Sequence, residues 1–214
     1  MPIIKKNNLI CHFAHISKCG GTSIELYLKN IGASIAFLDP NFLKNSKQQT
    51  WNISSPQHID GNSLSKLFPA NFFDFSFTVV RNPIDRFKSA FKFQMYIEKK
   101  ISTETNINNF ISKELKNISL KIGIFDNHFL PQTNFLYPSI GYKIFALENG
   151  LFRVKEYIDK KFSQENKNIK IGSENKSKLP EDLDKKIDIN EVSMKILNDI
   201  YREDFKLFNF AKNL

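Results

Sequence analysis

Apolar positions in this chain fall into short continuous runs separated by stretches of helical spacing. Residues 9–16 form a nearly unbroken apolar run, the pattern of a short buried strand. The run ends at a turn over residues 17–23, after which Ile24, Tyr27, Leu28 and Ile31 recur at helical spacing and predict a helix over about 22–30. Residues 31–38 read as a second strand, and 39–62, rich in Asn, Ser, Gln and Pro, as an irregular excursion carrying Trp51 and His58. A short helix is expected at 63–67 and a strong apolar strand at 73–80. Asn82-Pro83 has the form of an N-cap followed by proline in the first helical position. Ile84, Phe87, Phe91 and Met95, spaced by 3, 4 and 4, then mark a long amphipathic helix. Further helices are expected at 107–115 and 151–161, with a strand at 142–147 between them. Residues 163–190 are charged and Asn/Lys-rich and read as a long loop. A final helix over 191–208 is expected to pack Val192, Ile196, Leu197, Ile200 and Phe208. No internal repeat is visible. Strands alternating with helices predict an α/β protein with a central parallel sheet flanked by helices.

Composition narrows this. At 214 residues, residues 1–214 are most simply one domain, and 41% hydrophobic content with 21 phenylalanines argues for a folded globule. No run approaches the roughly 18 apolar residues of a membrane span. The N-terminal residues lack the order of a signal peptide, so a cytoplasmic protein is expected. The Asn/Lys/Ile-rich composition suggests a bacterial source. Cys11 and Cys19 are too few for a disulfide scaffold, and no Cys/His cluster accompanies them, so no metal is expected. Asn52, Asn117 and Asn175 open formal glycosylation triplets, read as chance in an Asn-rich cytoplasmic chain. Thirty-one Lys and Arg against 22 Asp and Glu give a net charge of +9, which suits an anionic ligand of any kind. Nucleic acid is not expected, because basic residues are not interleaved with aromatics and no known module is present.

Two turns carry candidate chemistry. At Lys18-Cys19-Gly20-Gly21-Thr22-Ser23 a strand meets a helix through two glycines. Such a turn lets backbone N–H groups approach an oxyanion, and the helix N-terminus adds unpaired donors. It is not a Walker A loop, since Lys18 precedes the glycines and no hydroxyl follows a Gly-Lys pair to ligate magnesium. The plain alternative is a tight turn with a hydroxyl N-cap. At residues 79–91 a second strand delivers Arg81 at its end and a helix carrying Ser89 starts at once. Ligands of open α/β sheets sit outside the carboxyl ends of strands, which places both turns on one edge. An N-capped helix with surface arginines is the plain alternative there.

Taken together, K-x-G-G-T-S at 18–23 and V-R-N-P-x-x-R-x-x-S-x-F at 80–91 resemble sulfotransferases that use 3'-phosphoadenosine 5'-phosphosulfate. The nearer likeness is to the carbohydrate-type branch that includes heparan sulfate 2-O-sulfotransferase and bacterial relatives. His128-Phe129-Leu130-Pro131-Gln132 resembles that branch's H-[FW]-x-P-Q segment, and residues 145–149 its following strand. Asn175-Lys176-Ser177-Lys178 resembles its N-x-S loop, and Ile200-Tyr201 with Asp204, Phe205 and Phe208 its C-terminal helix. The chain departs from the pattern in Ser17, where proline commonly precedes the lysine, and in Cys19 at a variable position.

The resemblance implies a P-loop-like three-layer fold. It implies that Lys18, Gly20, Gly21, Thr22 and Ser23 hold the 5'-phosphosulfate, that Arg81 and Ser89 hold the 3'-phosphate, and that Asn175, Ser177 and Lys178 close over the nucleotide. It further implies in-line, metal-free transfer to a hydroxyl or amine, with a carbohydrate as the expected acceptor. Lys18 suits charge growing on the leaving oxygen. For the base, His58 is the first candidate, with Gln57 and Asp60 as expected orienting groups; His128 is the second and Glu25 a third. His12 and His15 are expected to be packed. Trp51, Phe42, Phe129 and Tyr137 are candidate sugar platforms. A P-loop-like nucleotide kinase and a non-catalytic binder of anionic polymers are the competing readings.

Overall fold

The computed structural model describes residues 1–39, 41–42, 53–164, 168–172 and 187–213. A strand β1 (Ile3–Lys6) turns back at Asn7 and Asn8 (φ 51° and 63°) into β2 (Leu9–Ala14). The first strand was not expected from the sequence, because Ile3-Ile4-Lys5-Lys6 is too short for a period to show. Helix α1 (Gly21–Asn30) follows the glycine turn and returns through β3 (Ser34–Ala36), shorter than its apolar run suggests. A 3₁₀ turn at Pro56–His58 and a short helix α2 (Gly61–Ser65), N-capped by Asp60, lead to β4 (Phe75–Val80).

Helix α3 (Pro83–Tyr96) begins as expected, the Asn82 carboxamide accepting from the N–H groups of Ile84 (2.9 Å) and Asp85 (3.3 Å). The expected helix near 107–115 runs further than predicted. It comprises α4 (Ile107–Phe110), a π turn at Ile111–Leu115 and α5 (Lys116–Ser119). Then come β5 (Lys143–Ala146) and α6 (Phe152–Lys161). The single C-terminal helix read from the sequence is two, α7 (Glu191–Ile200) and α8 (Arg202–Lys212), broken where Tyr201 leaves helical geometry (φ −103°, ψ 23°). Tyr201 is turned inward, its hydroxyl donating to the Phe129 carbonyl (2.9 Å). Val192, expected in the packed stripe, is 65% exposed, whereas Leu197 and Phe208 are buried.

The sheet order is β3-β1-β2-β4-β5. Its chemistry-bearing half is parallel, β2 to β4 to β5, while β1 and then the edge strand β3 add antiparallel pairings on the other side. Alternation along the strands separates the two faces. Phe75, Phe77 and Phe145 meet Tyr157 of α6 on one face. Tyr27 of α1 joins that layer by donating its hydroxyl to Asp159. On the other face α8 packs against β4 and β5. A second apolar cluster lies beyond the sheet, where Phe87, Phe91 and Met95 of α3 pack on Phe110, Ile111, Leu115, Phe129, Leu197 and Tyr201. Parallel strands with helices on both faces leave the carboxyl ends of β2 and β4 side by side, and the turns that follow them meet there.

Candidate active site

The first turn is shaped by left-handed backbone. Lys18 (φ 66°) and Gly20 (φ 81°) both adopt it, which reverses the chain between β2 and α1 within a few residues. For lysine this conformation is strained and persists only where neighbours impose it. Gly21 is required for another reason, since a Cβ there would lie 1.9 Å from His15 Nε2. Helix α1 has no side-chain N-cap and no acid in its first turn, so no carboxylate there offsets the positive end of its dipole. Thr22 is exposed and Ser23 is buried at the start of that helix.

Arg81, at the end of β4, donates through one guanidinium nitrogen to the Lys18 carbonyl (3.4 Å), which joins the second turn to the first. The Lys18 ammonium lies 4.0 Å from the centre of the Phe93 ring. Neither cation is ion-paired to a carboxylate among the described residues. Burial, and then repulsion from Arg81, lower the Lys18 ammonium from 10.5 to about 8. Ser89 is half-buried on α3, one turn before Phe93 and on the same side of the helix.

Supports under these turns are buried and polar. Arg86 is 1% exposed and donates from Nε to the Ser17 carbonyl (3.1 Å). One of its terminal nitrogens serves both Ser17 Oγ (3.2 Å) and the His128 carbonyl (3.1 Å). Ser17, where the resembling family commonly has proline, thus gives Arg86 an acceptor that proline lacks. The Gln132 carboxamide pairs with Arg81, accepting from its N–H and donating to its carbonyl, both at 2.9 Å. Asp204 of α8 accepts from the N–H groups of Gln132 (2.7 Å) and Thr133 (3.0 Å), fixing the 128–133 segment in place. Cys19 is buried, its thiol pushed up to about 12 by burial; it donates weakly to Gln132 Oε1 (3.5 Å) and packs rather than reacts.

Beside the turns lies a cluster of histidines and carboxylates. His15 and His58 meet edge-to-face with centroids 5.0 Å apart, and His58 meets His128 likewise at 5.2 Å. The Phe93 ring reaches His128 at 5.0 Å and so touches both this cluster and Lys18. His58 Nδ1 lies 2.7 Å from Asp126 Oδ2 and 3.2 Å from Ser55 Oγ. Asp126 also accepts from the Ser55 N–H (2.6 Å) and hydroxyl (2.8 Å). The expected orienting groups are elsewhere: Gln57 bonds the backbone of Asp39, and Asp60 caps α2. A left-handed turn aims Asp126, with Phe125, Asp126 and Asn127 at φ 49°, 53° and 61°. Asn127 closes it, accepting from the Gly123 N–H (2.6 Å) and donating to the His58 carbonyl (2.7 Å). Three successive non-glycine residues in this region cost free energy that the bonded surroundings must supply.

Charge states follow from these contacts. Burial opposes ionisation of Asp126, but His58, by charge and hydrogen bond, with His128 and the Ser55 N–H, holds its carboxyl well below the carboxylate range. Burial, followed by the neighbouring His58, drives the His128 imidazole well below its usual 6.5 and keeps it neutral. His15 is buried and bonded through Nδ1 to Glu25 (2.6 Å); burial lowers it as well. Glu25 is therefore the partner of a histidine. His12 is buried against Tyr142 (2.8 Å) and lowered to about 3 by burial.

Of the residues expected from the sequence, Lys18, Gly20, Gly21, Arg81, His58 and His128 converge here. Asn175, Ser177 and Lys178 lie outside the described residues, as does Trp51. Phe42, Phe129 and Tyr137 are buried in packing and offer no sugar platform. Asp126, Gln94, Phe93 and Ser55 were missed. Asp126 stands two residues before His128, and that proximity was the one available signal.

Comparison with known families agrees with this geometry. The Sulfotransferase family model matches residues 3–211, and the chain belongs to that family. No match to a curated protein or to a solved structure is found. The family's chemistry is sulfuryl transfer to an acceptor. Among the described residues no helix is long and apolar enough to cross a membrane.

Proposed function

We propose that this single domain transfers a sulfuryl group from 3'-phosphoadenosine 5'-phosphosulfate to a hydroxyl, with a carbohydrate as the expected acceptor class. The observation that carries the reading is the pair Lys18 and Arg81: two cations from two strand-to-helix turns, drawn together without a carboxylate partner among the described residues. Like charges held close without a counterion call for an anionic ligand. The uncapped start of α1 supplies further donors for it.

The residues fit the nucleotide as follows. Lys18, Gly20, Gly21, Thr22 and Ser23 hold the 5' end; Arg81 and Ser89 hold the 3'-phosphate; Asn175, Ser177 and Lys178 belong to a segment that adds contacts to the nucleotide. The bound nucleotide supplies the sulfuryl group and a phosphate leaving group. Lys18 places positive charge where negative charge grows on the leaving oxygen, in a half-buried site where charge acts strongly. His58 Nε2 accepts the acceptor's proton, Asp126 steadying the imidazolium that forms. Arg86, Gln132 and Asp204 hold the two turns in register, which is the alignment an in-line displacement needs.

Calorimetry tests the reading. Tight binding of 3'-phosphoadenosine 5'-phosphate, unaffected by chelator, is expected, together with transfer of label from the sulfuryl donor to a glycan hydroxyl. Magnesium-dependent binding of ATP in preference to that nucleotide would favour a kinase instead.

A further inference from the structure

His58 and His128 are edge-to-face neighbours, yet groups of opposite character hold their Nδ1 atoms. At His58 the partner is the Asp126 carboxylate, 2.7 Å away. An ionised carboxylate only accepts, so Nδ1 of His58 carries the proton and Nε2 keeps a lone pair. The Ser55 hydroxyl, donating to the same carboxylate at 2.8 Å, agrees with this assignment.

At His128 the partner is Nε2 of Gln94, 2.7 Å from Nδ1. Gln94 is wholly buried, and its amide nitrogen also donates to the Phe125 carbonyl (3.4 Å). Turning the amide over would set carbonyl oxygen against carbonyl oxygen. It would also place the NH2 where Oε1 now lies buried without a partner. The amide nitrogen therefore faces His128, and because an amide N–H only donates, Nδ1 of His128 must accept. Its proton is then on Nε2.

We propose that Gln94 is a positioning residue that locks His128 as the Nε2–H tautomer, so that His128 serves transfer as a neutral hydrogen-bond donor to an oxygen of the reacting group, and His58 alone is the base. The assignment deepens the sulfuryl-transfer reading and rests on it. The groups facing His128 support a neutral ring: Lys18 from the first turn, Arg86, Phe93 and Gln94 from α3, His58 from the 3₁₀ turn and Asp126 from its own segment. Only Asp126 among them is an anion, and it is engaged with His58 and Ser55. A neutral donor stabilises developing negative charge without taking the acceptor's proton. Two adjacent histidines thus differ in role because one is held by a carboxylate and the other by an amide.

The test begins with the unmodified protein labelled with ¹⁵N in its histidine rings. Two-bond proton–nitrogen spectra from about pH 6 to 8 are expected to show His58 protonated at Nδ1 and His128 at Nε2. A His128 protonated at Nδ1, or charged across that range, would overturn the assignment with no variant needed. Gln94→Glu puts an acceptor beside Nδ1; it is expected to move the His128 proton to Nδ1 and lower turnover about 10²-fold with nucleotide affinity unchanged. Loss of turnover with the His128 spectrum unmoved would count against the tautomer as the cause. His128→Gln keeps an N–H donor and is expected to retain far more activity than His58→Ala, with the same pH profile as the parent. Equal loss in both, or a shifted pH profile in His128→Gln, would overturn the division of roles between the two histidines. Absence of any transfer by the parent protein would overturn the sulfuryl-transfer reading itself, whereas a wrong tautomer in an active enzyme would overturn this inference alone.

Discussion

The two halves of the site treat charge in opposite ways. At the sheet edge, the Lys18 and Arg81 side chains stand together with, among the described residues, a backbone carbonyl and an aromatic ring as partners. In the histidine cluster beside it, the carboxylates Glu25 and Asp126 are each matched to an imidazole at hydrogen-bond distance. The edge carries charge that its described neighbours leave without a counterion, whereas in the cluster each carboxylate is already paired. In the proposed function that contrast divides ligand binding from proton handling, with Phe93 touching both sides.

Removing the edge's charge should have the largest effect. Lys18→Ala is expected to reduce turnover about 10²- to 10³-fold, measured at saturating donor. Near-normal turnover would remove its role at the leaving oxygen. Arg81→Ala should act on binding instead, weakening the nucleotide about 10- to 100-fold, as loss of a charged hydrogen bond does. It should also raise the Lys18 value, because repulsion from Arg81 contributes to its depression. Unchanged affinity in calorimetry would contradict the assignment.

The cluster can be broken separately. Asp126→Asn is expected to cost about 1.5–3 kcal/mol of stability at neutral pH, measured by denaturant unfolding. The carboxyl is held below its ordinary 3.8, so its contribution is present above that value and lost as pH falls through the folded one. The asparagine variant should therefore lose stability less steeply in acid than the parent. An unaltered acid limb would show that Asp126 is not the depressed group.

Lys18 gives the opposite sign. Its folded value is lowered from 10.5 to about 8, so charging it costs the free protein stability below about 8, a cost relieved as pH rises through that value. An anion that restores the proton should be bound with proton uptake between about 8 and 10.5, and affinity should fall as pH rises there. Calorimetry in buffers of differing ionisation enthalpy reads the uptake directly; none would mean Lys18 does not face the ligand. The smallest expected effect is away from both halves: Val192→Ser, at a 65% exposed position, should change stability by no more than about 0.5 kcal/mol.

Much of the edge was legible in the sequence because its parts are local. A strand, a glycine turn and a helix occupy consecutive residues, so Lys18, Gly20 and Gly21 are placed by the chain's own order, and Asn82-Pro83 starts α3 where its chemistry requires. The cluster was legible only in part. His58 and His128 were visible as residue types, but Gln57 and Asp60, adjacent in sequence, were the expected partners, whereas Asp126 lies 68 positions from His58. The break at Tyr201 was hidden for the same reason, since the hydrophobic period continues across it while its hydroxyl answers to Phe129, 72 positions away.

The sequence by itself determined the α/β class, the strand–glycine turn–helix at residues 9–30 and the sulfotransferase family to which its motifs belong. Tertiary structure alone decided which carboxylate and which amide meet which imidazole, and that Phe129 and Tyr137 are core rather than surface. The physical reason is range. Turn geometry and helix starts are settled by neighbours in the chain, while a proton's position on a buried ring is settled by whatever partner the folded chain brings within 3 Å.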